Sequence, residues 1–358
     1  MQMSNTAIAA IQNYLQEAQS NSALHQISLL GSGAIAELEE KLENHYQMKY
    51  ALLVSNATMG LWAIAMALEL GHSEFVTTPY TYGASLAGFL QLGCKPIFAD
   101  IDHTLTLDPD SVRKLITPNT KAILGVDLFG IPCDAVTMRT IADQYGLFYI
   151  ADAAQSFGAS RNDLPASALA NALVVSFTFG KSLFAGEGAA ILTNDENLYH
   201  QLLWWTQHPM RQKIELGIDL GNEFAINARI HPLAAVWANA VFTESLDTVA
   251  KRQVECFEVI DTLDEIGLTE RIMFREWEIM PSFFRLAATW KNKSQEDALL
   301  KTLVDRGFSN IYLEPPPVKL LYQQPAFLTQ YGDFGVLNSC PNAEHYTERQ
   351  VCLRTKSS

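Results

Sequence analysis

The sequence predicts an α/β fold: a mostly parallel seven-stranded sheet flanked by helices, followed by a small C-terminal α+β domain. Two observations carry this. From residue 50 onward, short apolar runs alternate with stretches of helical periodicity, the pattern of strands joined by right-handed helical crossovers. At 358 residues the chain is also too long for one ordinary core, so a second domain is expected. A hydrophobic fraction of 48% against 18% charged leaves enough apolar side chain to fill both.

The elements follow in order. Residues 7–19 and 34–46 read as amphipathic helices. The apolar runs 51–54, 75–78, 96–99, 122–126 and 147–151 read as strands, with helical patterns at 57–70, 83–93, 109–117 and 134–145 between them. The third of these helices opens with Asp108-Pro109, a capping residue and then proline at the first helical position. The runs 172–177 and 189–192 are joined by a loop too short for a crossover helix, so at least one of them is expected to run antiparallel. Residues 194–207 and 232–263 read as helices, the second long enough to bridge into the smaller domain. There, 281–289 and 309–313 read as strands and 294–306 as a helix; 314–358 has three consecutive prolines and little periodicity. We place the boundary between residues 235 and 236: a large domain over 1–235 and a small one, shortened at its end, over 236–358.

A net charge of −14 argues against nucleic acid and anionic membrane surfaces as partners. A phosphate-bearing ligand must then be held by local groups rather than by the overall field. No apolar run approaches bilayer length, and the N-terminus has neither a basic start nor an apolar signal region, so a cytoplasmic protein is expected. The five cysteines are scattered and lack metal-type pairing; they read as buried thiols.

In a parallel α/β sheet, ligands collect beyond the C-terminal strand ends. Ser55-Asn56-Ala57-Thr58 follows the first strand and opens a helix; free amides and the positive helix end suit a phosphate, although an ordinary helix cap reads the same way. Tyr82, in Pro79-Tyr80-Thr81-Tyr82, offers a wall for a planar ring or a core aromatic. Asp152 ends a strongly apolar strand, where a carboxylate is costly unless a helix cap or a pyridinium N–H pairs with it. Lys181 follows another apolar strand in Ser176-Phe177-Thr178-Phe179-Gly180-Lys181, where desolvation would favour the neutral amine. Each feature alone is weak. Together at one sheet edge they are what a pyridoxal 5′-phosphate (PLP) site requires: Lys181 for the aldehyde, Asp152 for the ring nitrogen and Tyr82 to stack on the ring.

These segments occur in order with Phe98-Ala99-Asp100-Ile101-Asp102, Leu128-Phe129-Gly130, Asp152-Ala153-Ala154-Gln155, Glu187-Gly188 and Asn227-Ala228-Arg229. The ordered set resembles the DegT/StrS family of PLP-dependent sugar aminotransferases, across about residues 31–235. That resemblance implies PLP fold type I, the aspartate aminotransferase-like architecture. It also implies roles: Asn56, Ala57, Thr58 and Ser176 at the phosphate, Gln155 near the phenolic oxygen, and Asn227 reaching the partner's phosphate in a homodimer with shared active sites. The reaction implied is transfer of an amino group from glutamate or glutamine to a keto sugar, usually nucleotide-linked. His208 would face substrate or touch a helix-end carbonyl. Arg229 would hold a substrate carboxylate or tie the dimer together. Glu187 would orient the lysine loop.

The sequence departs from that family around the substrate rather than the cofactor. Thr178-Phe179-Gly180-Lys181 lacks the usual proline before the lysine, and Glu187-Gly188-Ala189 replaces Glu-Gly-Gly. An aminotransferase acting on a non-nucleotide ketone such as a cyclitol, and a non-catalytic protein on the same fold, are the alternatives. Related sugar dehydratases carry histidine in place of the lysine, so Lys181 argues against that branch.

Overall fold

In the computed structural model the described residues are 4–267, 269–272, 278–290, 296–308, 311–314, 319–332 and 339–355. Seven strands form the main sheet: β1 (Tyr50–Val54), β2 (Glu74–Thr77), β3 (Lys95–Phe98), β4 (Thr120–Val126), β5 (Phe148–Asp152), β6 (Ala172–Ser176) and β7 (Ala189–Thr193). Their order is β1-β7-β6-β5-β4-β2-β3. β2, β3, β4, β5 and β6 pair in parallel. β7 is antiparallel to both β1 and β6, as the short loop before it requires.

The helices, in chain order, are α1 (Asn5–Ala18), α2 (Ile27–Leu30), α3 (Ala34–Tyr46), α4 (Ala57–Ala67), α5 (Ala84–Gln91), α6 (Pro109–Leu115), α7 (Ala135–Tyr145), α8 (Glu196–Thr206), α9 (Pro209–Leu216), α10 (Pro232–Ile266), α11 (Glu296–Asp305), α12 (Pro325–Tyr331) and α13 (Pro341–Arg349). The sheet strands bury both faces. Alternate residues serve separate cores: Leu52, Val54 and Val174 on one side, Leu53, Leu173 and Val175 on the other. This follows from the two-residue side-chain period of a strand covered by helices on both sides. All five cysteines are buried free thiols. No helix among the described residues is long and apolar enough to cross a membrane.

A second, antiparallel sheet has the order β8 (Thr269–Ile272), β9 (Leu286–Trp290), β11 (Gln350–Thr355), β10 (Ile311–Glu314). Here the sequence expectations need correction. The strand expected at 281–289 begins only at Leu286, because Ser282 and Arg285 hydrogen-bond to the Phe129-Gly130 backbone instead of to a sheet partner. The stretch 314–358 is more regular than its composition suggests: it holds α12, α13 and β11, a strand paired on both sides. The three prolines at 315–317 lie outside the described residues. This second sheet is tied to the first. The Tyr80 hydroxyl donates to Gln350 Oε1 at 2.7 Å, and the backbone N–H groups of Asn342 and Ala343, at the start of α13, donate to Asp100, each at 2.9 Å.

Candidate active site

Strand ends and helix starts build one cavity of about 240 Å³, lined among others by Asn56, Ala57, Thr58, Tyr82, Ser85, Asp127, Asp152, Gln155, Ser176 and Lys181. It lies beyond the C-terminal ends of β4, β5 and β6, where the parallel topology places it. Of the residues singled out in the sequence, eight meet here: Asn56, Ala57, Thr58, Tyr82, Asp152, Gln155, Ser176 and Lys181.

One end is made by α4. Asn56 adopts an extended backbone and caps the helix, its Oδ1 accepting from Met59 N at 2.9 Å. Ala57 and Thr58 occupy the first turn, whose amide groups carry the positive end of the helix dipole. Ser176 ends β6 beside them and lines the same cavity.

The Asp152 carboxylate is buried. Its Oδ2 accepts from Ser85 Oγ at 2.7 Å and its Oδ1 from Ala154 N at 3.0 Å. Asp127, one strand over, donates its backbone N–H to Asp152 O at 3.0 Å. The Asp127 side chain accepts from Cys133 N, Ser156 Oγ and Ser167 Oγ, at 2.8, 2.7 and 2.9 Å. Burial pushes the Asp127 carboxyl up to about 6, the nearby Asp152 charge adding to the effect. Gln155 lines the cavity while its Oε1 accepts from Phe129 N at 2.8 Å, which fixes the positive-φ turn at Phe129 and Gly130.

Lys181 sits on a loop closed at its base. Phe177 N donates to Gly188 O at 2.8 Å and Ala185 N to Phe177 O at 2.9 Å. Thr178 Oγ1 donates to Glu187 Oε1 at 3.0 Å, a side-chain tie across the same base. Gly188 has φ 133, and a Cβ there would stand 2.8 Å from Ile230 Cδ1, so glycine is required by conformation and by space. Burial lowers the Lys181 pKa; the Asp152 carboxylate opposes that shift and the Arg285 guanidinium adds to it. The amine is therefore more available as a nucleophile than an exposed lysine would be.

The other four residues lie outside the cavity lining, Glu187 at the base of the lysine loop itself. Asn227 is exposed, with φ 52, and its Nδ2 donates to Ala225 O at 3.2 Å. His208 caps α9, its Nδ1 accepting from Met210 N at 3.2 Å; the expected contact with a helix-end carbonyl is replaced by this amide. Arg229 and Glu187 line a separate hollow of about 470 Å³ with Ser55, His231 and Trp237. Arg229 Nη1 donates to Ser28 O at 3.3 Å and approaches Ser28 Oγ at 3.4 Å, ties within its own chain.

Four residues of this region carried no weight in the sequence. Asp127 follows the end of β4 directly, within reach of the strand-end rule, whereas Ser85 lies inside α5, eight residues beyond β2. Phe284 and Arg285 come from the segment just before β9, and no local pattern marks them. Lys181 Nζ lies 4.8 Å from the centre of the Phe284 ring.

The residues present fit PLP. A helix start for the phosphate, a carboxylate for the ring nitrogen and a desolvated amine for the aldehyde share one cavity. A family model described as the DegT/DnrJ/EryC1/StrS aminotransferase family matches residues 9–358. The chain belongs to that family. Within the DegT/DnrJ/EryC1/StrS family, it is 34% identical over 237 residues to a UDP-2-acetamido-2-deoxy-3-oxo-D-glucuronate aminotransferase of Pseudomonas aeruginosa, a match spanning 65% of each chain. Among solved structures it is similar to an aminotransferase from Psychrobacter cryohalolentis, with TM-score 0.84 and 23% identity over 99% of this chain and 93% of the other. It is also similar to the E. coli GDP-4-keto-6-deoxy-D-mannose-3-dehydratase with bound hydrated PLP, with TM-score 0.79 and 20% identity over 100% and 92%. The two structural likenesses establish the fold that this aminotransferase and the dehydratase share.

Proposed function

We propose that this DegT/DnrJ/EryC1/StrS protein holds PLP at Lys181 and transfers an amino group from glutamate or glutamine to the ketone carbon of a nucleotide-linked sugar. The observation that carries the reading is the meeting of Lys181 and Asp152 in one cavity with the start of α4. Bound PLP supplies an electron sink that acidifies the carbon bearing the amine. The protein's own groups do the rest. The first-turn amides of α4, Thr58 and Ser176 hold the phosphate. The Asp152 carboxylate, fixed by Ser85, keeps a proton on the ring nitrogen. Tyr82 covers one ring face. Lys181 Nζ would hold the aldehyde, and its free amine would be the base placed to take and return a proton. The P. aeruginosa relative, named for a UDP-linked 3-oxo sugar acid, supports a sugar ketone as acceptor.

The active unit in this reading is a homodimer in which Asn227 reaches the partner's phosphate end. Asn227 is exposed and lies outside its own cavity lining. Its segment exposes Leu220 at 82% and Phe224 at 93%, apolar surface that a partner would cover.

The test is direct. Purified protein with PLP should turn yellow, and borohydride should trap the cofactor on the wild type but not on Lys181→Ala. Glutamate should bleach the colour and release 2-oxoglutarate, and a nucleotide-linked keto sugar should restore it. A protein that takes up no PLP, or releases no oxo acid with any amino donor, overturns the reading.

A further inference from the structure

The loop that carries Lys181 is closed at its base by its own residues, and its tip is held from elsewhere. Residues 179–184 lie beyond the base formed by Phe177, Thr178, Ala185, Glu187 and Gly188. Among the described residues, one hydrogen bond joins that tip to another element: Arg252 Nη2, from α10, donates to Ser182 Oγ at 2.7 Å. Ser182 is the residue next to the lysine, so whatever fixes it fixes the backbone from which the amine is aimed. The same guanidinium reaches a second part of the site. Its Nε donates to Ser282 O at 2.8 Å. Ser282 is buried; its N–H donates to Gly130 O at 2.9 Å and its hydroxyl to Gln155 O at 2.8 Å. Neighbouring residues of α10 add to the hold. Gln253 Nε2 donates to Pro281 O at 3.0 Å. Val249, one turn earlier, packs on Gly158, where a Cβ would stand 3.0 Å from Val249 Cγ1.

One buried side chain therefore spans the lysine loop and the segment that clamps the Gln155 turn. A guanidinium is a rigid fork of donors, so holding two acceptors with it also fixes the distance between them. That distance matters where an amine must meet a carbon held at the far side of a cavity. A misplacement of about 1 Å can cost about 100-fold in rate. We propose that Arg252 is a positioning residue for the reacting lysine: through Ser182 it holds the Lys181 loop at a set distance from the Gln155 turn. The proposal rests on the reading of Lys181 given above. Arg252 lies outside the cavity lining and acts through Ser182 and Ser282, not on the ligand.

The experiment compares wild type with Ser182→Ala, Arg252→Gln and the double variant, each first shown to unfold cooperatively. Ser182→Ala removes one hydroxyl and leaves Arg252 on Ser282, so it decides the matter alone where Arg252→Gln fails to fold. In cofactor-free protein, hydrogen exchange of the amides of residues 178–185 should quicken about 10- to 100-fold in Ser182→Ala, the loss of a hydrogen bond to a charged donor, with the main-sheet strands unchanged. The rate at which added PLP becomes trappable by borohydride at Lys181 should fall about tenfold or more. Pyridoxine 5′-phosphate has the same phosphate and ring nitrogen but an alcohol in place of the aldehyde. It makes no use of the amine and should bind every variant within about twofold of wild type; a purely structural effect of the substitutions would weaken both ligands. The double variant should be no slower than the slower single variant, because both changes remove one tie. Loop exchange or capture rate within about twofold of wild type in Ser182→Ala, loss of pyridoxine 5′-phosphate affinity in step with capture, or additive losses in the double variant would overturn the proposal. If wild type captures no PLP, the functional reading falls, while hydrogen exchange in cofactor-free protein still decides whether Arg252 holds the loop.

Discussion

Ser85 donates its hydroxyl proton to Asp152 Oδ2 at 2.7 Å, and its oxygen lies 3.0 Å from Thr81 Oγ1. Both hydroxyls are buried. The carboxylate is therefore aimed from the first turn of α5, an element that sequence patterning reads only as packing. A hydrogen bond to a charged acceptor is worth about 1.5–3 kcal/mol. Ser85→Ala should weaken PLP binding by about tenfold and should not abolish it, because Ala154 N still holds Oδ1. Titration of cofactor-free protein followed by visible absorbance measures this. Unchanged affinity would mean that Asp152 needs no help from α5.

Asp127 sets a pH dependence of stability. Its carboxyl is raised to about 6 in the folded chain, chiefly by burial, while an unfolded aspartate titrates near 3.9. Between those values the folded state binds more protons than the unfolded state. Stability from this group is therefore fully present below about pH 4 and is lost as pH rises through 6. Asp127→Asn removes the ionisation. Urea unfolding at pH 4.5 and pH 7 should show the variant's pH dependence differing from the wild type's by about 2–3 kcal/mol over the full interval, with wild type losing stability toward pH 7 relative to the variant.

The main sheet was legible because a covered parallel sheet writes continuous apolar runs, and all seven strands lie within two residues of their expected ends. α9 escaped notice: Pro-Met-Arg-Gln-Lys-Ile-Glu-Leu is short and mostly polar, and its start signal was His208 followed by proline. β11 escaped for a different reason. Gln350–Thr355 mixes polar and apolar residues, and its place between β9 and β10 depends on partners dozens of positions away. The candidate site divides along the same line. Groups following strand ends were findable from order alone, and Asp127 should have been among them. Phe284 stands over the lysine because Ser282 and Arg285 clamp their segment to Phe129, Gly130 and Gln155, which no local pattern encodes.

Glu39 and Arg211 form a buried, two-pronged ion pair, Nη1 to Oε1 at 3.1 Å and Nη2 to Oε2 at 2.9 Å. Glu39 Oε1 also accepts from Leu53 N at 2.9 Å, and Arg211 Nε donates to Glu215 Oε1 at 2.6 Å. The pair locks α3 and α9 to the end of β1, just before Ser55. Removing Glu39 leaves the buried guanidinium with Glu215 as its remaining carboxylate, so the loss approaches but does not exceed the ~3–5 kcal/mol of a fully stranded charge. Glu39→Ala should lose about that much in denaturant unfolding. The double variant Glu39→Leu with Arg211→Met should recover most of it, since well-packed apolar replacements of a buried pair are often neutral. A double variant no better than the single would show that the hydrogen bond to Leu53, not the charge, is what matters.

Gly88 marks the closest approach of α5 to α4. A Cβ built there would lie 2.7 Å from both Cα and N of Trp62, and these are backbone atoms that no rotamer change can move aside. Alanine would ordinarily gain about 1 kcal/mol over glycine inside a helix. The forced separation of two packed helices should outweigh that gain and leave Gly88→Ala destabilised by about 1–3 kcal/mol net. Gly332 is the control: it has open space around it and no strained backbone, so Gly332→Ala should be neutral or slightly stabilising. The two helices that would be pushed apart carry Thr58 and Ser85. Gly88→Ala should therefore also reduce PLP affinity, which Gly332→Ala should leave alone. Urea unfolding and cofactor titration on the same two proteins check both expectations, and a Gly88→Ala protein as stable as wild type would mean that the α4–α5 contact relaxes without reaching the cavity.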